Sequence, residues 1–411
     1  ADVRELGRRL EVEQVVTVSL RRVPAGLRVA ARLVSVDDGF QIWAHRAECV
    51  ESDVFVQSEA LARGIAAALS SRAVAVTKPT DPRAVDLYLR ARAELRKFWG
   101  KHAVAAAALL DDAERIAPDS AQISGALAYA SVQAWVMTTE ADLLEPARIA
   151  VDRGLALGHG DAFLASAVFK FNTADTLGGA AALREALARA PMSASVHEYT
   201  GKLLLELGPI DRARYHLSTA MALDPGRTLL IMTDLARLDA LMGDATAARK
   251  KLDLLDGGSD GSLAQVAEVF RSRIDEWNGA RDPQRSGLRR LSSRLGGYLE
   301  RLAQIIQVAS EGKPVDAVAW NETIPLWVHD VRPVRLVTLV LQLLAENAAM
   351  YGADEQVFSA LDQARNAGLI DLTWMDRCPL LARFRGDLRW AEVRARVEDH
   401  GTKILALLGS S

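Results

Sequence analysis

The sequence has little cysteine and few aromatic residues. Two cysteines, Cys49 and Cys378, stand among 411 residues. They are too few for a disulfide scaffold or a cysteine-based metal centre, though enough for one disulfide. Aromatic residues make up only 6%, so a core has to be built from aliphatic side chains. Neither charge sign dominates: 50 Lys and Arg against 53 Asp and Glu give a net charge of −3. That balance removes the electrostatic argument for a nucleic-acid binder or a polybasic membrane anchor. No run approaches the roughly 18 apolar residues needed to cross a bilayer, and no signal peptide opens the chain. The most apolar segment, Val334 to Leu344, is interrupted by Arg335 and Gln342 and predicts a buried helix. Glycine and proline, 28 and 13 residues, stay near average usage, which excludes collagen-like and low-complexity architectures.

What is present is aliphatic and helical. Half the residues are hydrophobic, enough for a large core and incompatible with global disorder. The first residue is Ala1 instead of Met, and a helical pattern is already running from Asp2 to Leu10. The chain therefore reads as a fragment that begins inside a domain.

Residues 1–75 follow a different rule from the rest. Val16, Val18 and Leu20 alternate with Val15, Thr17 and Ser19; Leu27, Val29, Ala31 and Leu33 alternate with Arg28, Ala30 and Arg32; Ile42 and Ala44 follow Phe40. Period-two alternation of this kind predicts strands with one buried face. Val23-Pro24-Ala25-Gly26 and Val36-Asp37-Asp38-Gly39 between them are hairpin turns. Ser58 to Leu69 switches to helical spacing, with Leu61, Ile65 and Leu69 on one face. The expectation is a small α/β unit with a three-stranded antiparallel sheet, left through a linker at Thr77 to Pro82.

From Asp81 on, Ala- and Leu-rich helices succeed one another, punctuated every 15 to 20 residues. Gly201, Ala213, Ala220 and Pro225 fall at the spacings of the tetratricopeptide consensus, and Ala167, Ala186 and Pro191 precede three of them by 34 residues. In such a repeat Gly201 and Ala220 let two antiparallel helices approach closely, Ala213 sits at their crossing, and Pro225 opens the next unit. Ala106, Ala113 and Pro118 repeat the second-helix signature, while the intervening unit ends at Leu157-Gly158-His159 without a proline and with a longer spacing. Leu241-Met242-Gly243-Asp244-Ala245 has the turn-then-helix form expected between the helices of a pair. The pair at Leu263–Trp277 and Gln284–Leu295 is weaker. The expected fold is mainly α, a tetratricopeptide-like α-α superhelix with five pairs between Asp81 and Leu255, preceded by the small partial α/β domain. The expected divisions are 1–75, repeats at 76–260, and degenerate helical pairs with a C-terminal cap at 261–411.

Val3-Arg4-Glu5-Leu6-Gly7-Arg8-Arg9-Leu10-Glu11-Val12, the strand ending Ser19-Leu20-Arg21-Arg22, Leu27 to Val34, Asp38-Gly39, Trp43 and Asp53-Val54-Phe55-Val56-Gln57 resemble the latter half of the TolB-like domain found beside tetratricopeptide repeats in bacterial signalling proteins. Thr17 stands where that family usually has glycine. Pro82 to Arg92 resembles the junction into the repeats. The tail, Ala367 to Met375, Cys378-Pro379-Leu380-Leu381 and Phe384-Arg385-Gly386-Asp387, is similar to the closing segment of repeat regions in bacterial serine/threonine protein kinases. The resemblance implies a regulatory region whose kinase domain lies upstream. Adenylate cyclases and winged-helix transcription regulators carry similar regions, so the effector stays open between them. Location stays open too, between the cytoplasm and an extracytoplasmic position on a membrane-anchored protein.

Kinase chemistry itself has no residues to run on. The Gly-rich loop, strand lysine, catalytic-loop aspartate and metal-binding aspartate are missing, and Asp38-Gly39-Phe40 has the metal motif's residues in the wrong order within a hairpin. A phosphate-binding loop and a GxSxG elbow are also lacking, and nothing calls for a cofactor. The histidines at 45, 102, 159, 197, 216, 329 and 400 have no metal-ligand spacing, although His197 and His216 can meet across the two helices of one repeat. Glu198 and Glu206, and Asp111 and Asp112, read as solvated helix faces, and Cys378 as an inert thiol. Trp99, Trp135 and Trp277 lie near the ends of first helices. In the consensus register Tyr88, Leu95, Phe98, Phe171, Glu198, Lys202 and Glu206 map to the groove, where a protein or peptide partner, or the effector domain of the same chain, would bind. The competing reading of the aromatics is core, the commoner fate of large apolar residues at helical spacing. The paired Lys/Asn pattern of a chaperone-tail clamp is not evident. Arg285, Arg289, Arg290 and Arg294 give one positive helix face, a solvated surface or a contact for an acidic partner.

Overall fold

The computed structural model describes residues 3–10, 12–24, 26–36, 41–69, 81–97, 100–257, 262–279 and 333–409. Phe98, Trp99, the Asp37–Phe40 turn, His329, the Gln284–Leu295 helix and the Arg281–Arg294 basic run lie outside the described residues. The chain divides into two compact units: 1–91 with 109–120, and 92–108 with 121–411. Two of the three dividing points fall inside helices α3 (Pro82–Leu95) and α4 (Gly100–Ile116), and the third lies between residues 120 and 121.

In the first unit, α1 (Val3–Arg9) precedes an antiparallel sheet, β1 (Gln14–Val23), β2 (Gly26–Ser35) and β3 (Gln41–Cys49), in the order β1-β2-β3, and α2 (Val54–Leu69) follows. The register places Val16, Leu33 and Trp43 in one row, Val18, Ala31 and His45 in the next, and Leu20, Val29 and Ala47 in a third. These rows form the apolar face that alternation requires. Helix α2 covers its β3 side so closely that a Cβ on Gly64 would stand 2.3 Å from the Trp43 ring. Ala31 and Leu33 are buried, whereas Val18 and Leu20 on β1 are 59% and 62% exposed. Tyr88 of α3 is buried and meets the Phe55 ring edge-on at 5.1 Å.

The second unit is a tetratricopeptide-like array. Its helices are α5 (Ala121–Thr138), α6 (Leu144–Leu157), α7 (Gly160–Asn172), α8 (Thr176–Arg189), α9 (Ala194–Leu207), α10 (Ile210–Leu223), α11 (Thr228–Leu241), α12 (Ala245–Asp253) and α13 (Ser262–Trp277). First helices open at Gly160, Ala194 and Thr228, each 34 residues after the last; α5 to α7 takes 39. Of the five pairs expected between Asp81 and Leu255, four are packed as pairs in this unit, α5 with α6, α7 with α8, α9 with α10 and α11 with α12. Small residues allow the pairs to close: a Cβ on Gly201 would meet Leu217 Cγ at 2.6 Å and the Ala213 carbonyl at 3.1 Å. Ala213 and Ala220 are fully buried beside it. Turn chemistry separates the helices. Asp175 and Asp244 accept from backbone N–H groups of α8 and α12, at 2.9 and 2.8 Å, as N-caps do. Pro225 opens a short 3-10 turn before α11, Pro191 lies in the turn before α9, and Pro118 in the turn after α4.

The C-terminal helices are α14 (Val334–Met350), α15 (Asp354–Asn366), α16 (Leu372–Arg377) and α17 (Leu388–Leu408). Helix α14 is the apolar segment read from sequence as buried; all but four of its residues are. It pairs with α15, packs on α7, and α16 packs on α9 and α11. Helix α17 lies against α8 and α15, with His400 Nε2 2.6 Å from the Thr176 hydroxyl. The C-terminal segment thus folds back over the first helices of the array. Among the described residues no helix is long and apolar enough to cross a membrane.

Candidate functional site

First helices of successive pairs touch one another, α5 with α7, α7 with α9 and α9 with α11, and the side chains between them line three adjoining cavities. One of about 220 Å³ is bounded by Leu95, Tyr129, Gln133, Glu198, Lys202 and Arg227 among others. The second, about 150 Å³, takes Lys202 together with Tyr199, Glu206, Asp234, Arg237 and Arg335. The third, about 320 Å³, shares Glu206, Asp234, Arg237 and Arg335 with the second and runs on to α13 and α14. Leu95, Glu198, Lys202 and Glu206, four of the residues mapped to the groove from sequence, meet along this strip. Tyr88 belongs to the first unit. Phe171 does not line the strip; it is fully buried, packed on Gly179 and tilted against Tyr199 at 6.1 Å. Trp135 and Trp277 are likewise buried core residues.

The carboxylates correct the sequence reading most. Glu198 is 6% exposed, not a solvated face. It holds Lys202 at 2.7 Å and Arg227 at 2.6 Å. Burial on its own would raise its pKa, but Lys202 and Arg227 outweigh burial and bring it down to about 2. Burial equally would lower Lys202, yet Asp234 and Glu198 hold it well above its ordinary value. Glu206 pairs with Arg335 of α14, across 129 residues of chain; burial pushes its carboxyl up, with Arg335 opposing. Arg237 of α11 donates to Asp371 at 2.6 Å, and Gln342 of α14 adds a bond to the same oxygen at 3.1 Å. Burial also raises Asp234, against the pull of Lys202. Asp111 and Asp112, by contrast, are exposed and pair with Arg115 on their own helix. No local signal reveals the long-range pairs, but Glu198, Lys202 and Glu206 recur every four residues along α9. That spacing puts them on one face.

The histidines form a bonded pair rather than a metal site. His197 Nε2 lies 2.9 Å from the Pro191 carbonyl, which only accepts, so Nε2 carries the proton. Nδ1 of His197 then accepts from Nδ1 of His216, at 2.9 Å. This leaves His216 Nε2 buried with no hydrogen-bond partner. Burial, with His197 and Arg212 adding to it, lowers the His216 pKa from 6.5 to about 4. The unfolded chain therefore takes up this proton first, and stability falls as pH drops from about 6.5 towards 4. The expected loss is about 2–3 kcal/mol. Urea unfolding at pH 7 and pH 4.5 measures it, and H216L lowers stability at both but flattens the difference between them. Among the described residues no three His, Cys, Asp or Glu side chains converge as a metal site. Cys49 and Cys378 are free and buried. Burial, with Glu346 beside it, pushes the Cys378 thiol well up, the condition of an unreactive cysteine.

No family model matches the chain, and no curated protein matches it. Among solved structures it is similar to yeast Tom70, at 13% identity and a TM-score of 0.36, over 75% of this chain and 66% of that one. At that level the fold assignment rests on the helical pairs of this chain itself.

Proposed function

We infer that the repeat array is a non-catalytic protein-interaction region that regulates an effector domain. The observation that carries this reading is the fold-back of the C-terminal segment. Arg335 on Glu206 and Asp371 on Arg237 are a helical segment held on the first-helix side by paired charges and apolar walls, as an interaction groove holds its ligand. The cleft at Leu95, Glu198 and Lys202 continues the same strip and is the place for a partner protein or peptide, including an effector domain of the same chain. A bacterial serine/threonine protein kinase is the effector favoured by the resemblance of residues 3–57 and 367–387.

Two measurements test this. Affinity capture compares the wild-type chain with L95E, which places a charge in the cleft at a half-buried position. A retained protein lost by L95E, at unchanged thermal stability, is the expected result; no retained protein, or equal retention, overturns the interaction reading. The coding sequence preceding the Ala1 codon tests the effector: a kinase domain is expected, and a cyclase or a winged-helix domain there replaces it.

A further inference from the structure

The sheet of the first unit has a free edge. Among the described residues β1 pairs with β2 alone, in a register that runs unbroken from Gln14 to Val23 with no proline in it. The Val36 N–H donates to the Glu13 carbonyl at 2.8 Å. In the antiparallel ladder, odd-numbered residues of β1 therefore turn their backbone groups toward β2, and even-numbered residues turn theirs outward. Gln14, Val16, Val18 and Leu20 thus present a row of backbone donors and acceptors along the edge. Their side chains lie on the apolar face of the sheet. That face is closed at Ala31 and Leu33 but runs into the open at β1, where Val16, Val18 and Leu20 are exposed, as are Leu6, Leu10 and Val12 just before the strand. A long apolar edge without a bulge or a proline is a template for another strand.

We propose that this edge binds the same edge of a second copy of the chain, the two β1 strands running antiparallel about a two-fold axis at Thr17. An axis normal to the sheet keeps each face on its own side, so even-numbered residues meet even-numbered ones. The ladder then sets Val16 against Val18 of the copy and Gln14 against Leu20 of the copy, outward-facing pairs that exchange hydrogen bonds. On the other face Thr17 meets Thr17 of the copy and Glu13 meets Arg21 of the copy, pairings that stabilise antiparallel strands. The charges select this occupant. Arg21 stands beside Arg28, whose carboxylate partner Glu48 lies on the far side at 2.6 Å. Glu13 is exposed just before the other end of β1. A second copy brings each Glu13 to the open side of an Arg21, so the row of Glu48, Arg28 and Arg21 closes with a negative charge. The edge is complementary to itself. Centring the axis on Val18 would keep the apolar face but would set Glu13 against Val23 and Arg21 against Val15, so the charges also choose the register. The inference does not rest on the groove, and its failure leaves the interaction reading intact.

Sedimentation equilibrium of the whole chain over a dilution series tests the assignment. A mass of two chains that falls to one on dilution is expected. R21E brings like charges together and is expected to weaken the dimer roughly tenfold, whereas E13R/R21E, with the charges exchanged, recovers wild-type affinity to within about threefold. V18P removes an N–H that faces outward and leaves the ladder to β2 whole; it is expected to abolish the dimer at unchanged far-UV circular dichroism. A wild-type chain that stays single at the highest concentration, with the edge bare or covered by another segment, overturns the proposal. So does wild-type dimer affinity in R21E or in folded V18P, or an exchanged pair that fails to recover it. Glu13 and Arg21 are both exposed, so the charge exchange decides the question even if V18P does not fold.

Discussion

Replacing Glu346 by leucine is expected to destabilise the second unit by about 3–5 kcal/mol. Glu346 of α14 is 2% exposed and its carboxylate accepts two bonds from Arg273 of α13, at 3.0 and 2.7 Å. The same oxygen that faces Arg273 Nη2 takes the indole N–H of Trp374 at 2.6 Å, and the Cys378 thiol lies 3.9 Å away. One carboxylate thus ties α13, α14 and the tail segment together. Arg273 is itself 5% exposed, so E346L strands a guanidinium in the core with, among the described residues, the Trp277 ring 5.0 Å away, and leaves the indole N–H unpaired. An unpartnered buried charge costs far more than the intact pair contributes. The double variant E346L/R273M is therefore expected to recover to within about 1 kcal/mol of wild type. Guanidinium unfolding of the four proteins closes the cycle. Additive single effects, with no recovery in the double, would sink the argument.

How much of this was legible beforehand follows from the range of each interaction. The repeat is local chemistry. Gly201 against Leu217 and Ala213, Asp244 capping α12, and Pro225 after α10 all act within about one repeat, so the 34-residue recurrence of Ala167, Ala186 and Pro191 carries them in plain sight. The hairpins of β1 to β3 are equally local, written in alternation and turn residues. Glu198 reads from sequence as part of a solvated helix face, because spacing alone describes no more, and Lys202 only as a groove position. Their burial depends on Arg227, in the turn that follows the next helix, and on Asp234 of α11. Glu206 and Arg237 were further out of reach. Their partners Arg335 and Asp371 lie 129 and 134 residues away, in a segment read as degenerate repeats and a cap. Nothing in local propensity announces that this segment turns back on the array. Phe171 was placed by consensus register, which orients a helix face to within one position. At that tolerance a core phenylalanine and a groove phenylalanine look alike.

The second large effect belongs to Glu198. Its carboxylate is held by Lys202 and Arg227 in a buried strip, and E198Q keeps the shape while removing the charge. Lys202 then retains Asp234 at 3.4 Å, and Arg227 retains Asp224 at 3.6 Å, so both cations stay partly compensated. The expected loss is about 3 kcal/mol, the low end for breaking a buried pair. The pH dependence gives the same quantity by another route. With a folded value of about 2 against 4.5 for the free side chain, the Glu198 contribution is fully present above about pH 4.5. It is lost as pH falls through 2, again about 3 kcal/mol. That window lies below the one set by His216, so the two are separable in a single stability profile: H216L flattens the stretch from about 6.5 to 4, and E198Q flattens the stretch below 4.5. A profile in which E198Q keeps the wild-type slope below pH 4.5 would show that the carboxylate is not held as charge by Lys202 and Arg227. The groove would then be a set of solvated side chains, as the sequence alone had it.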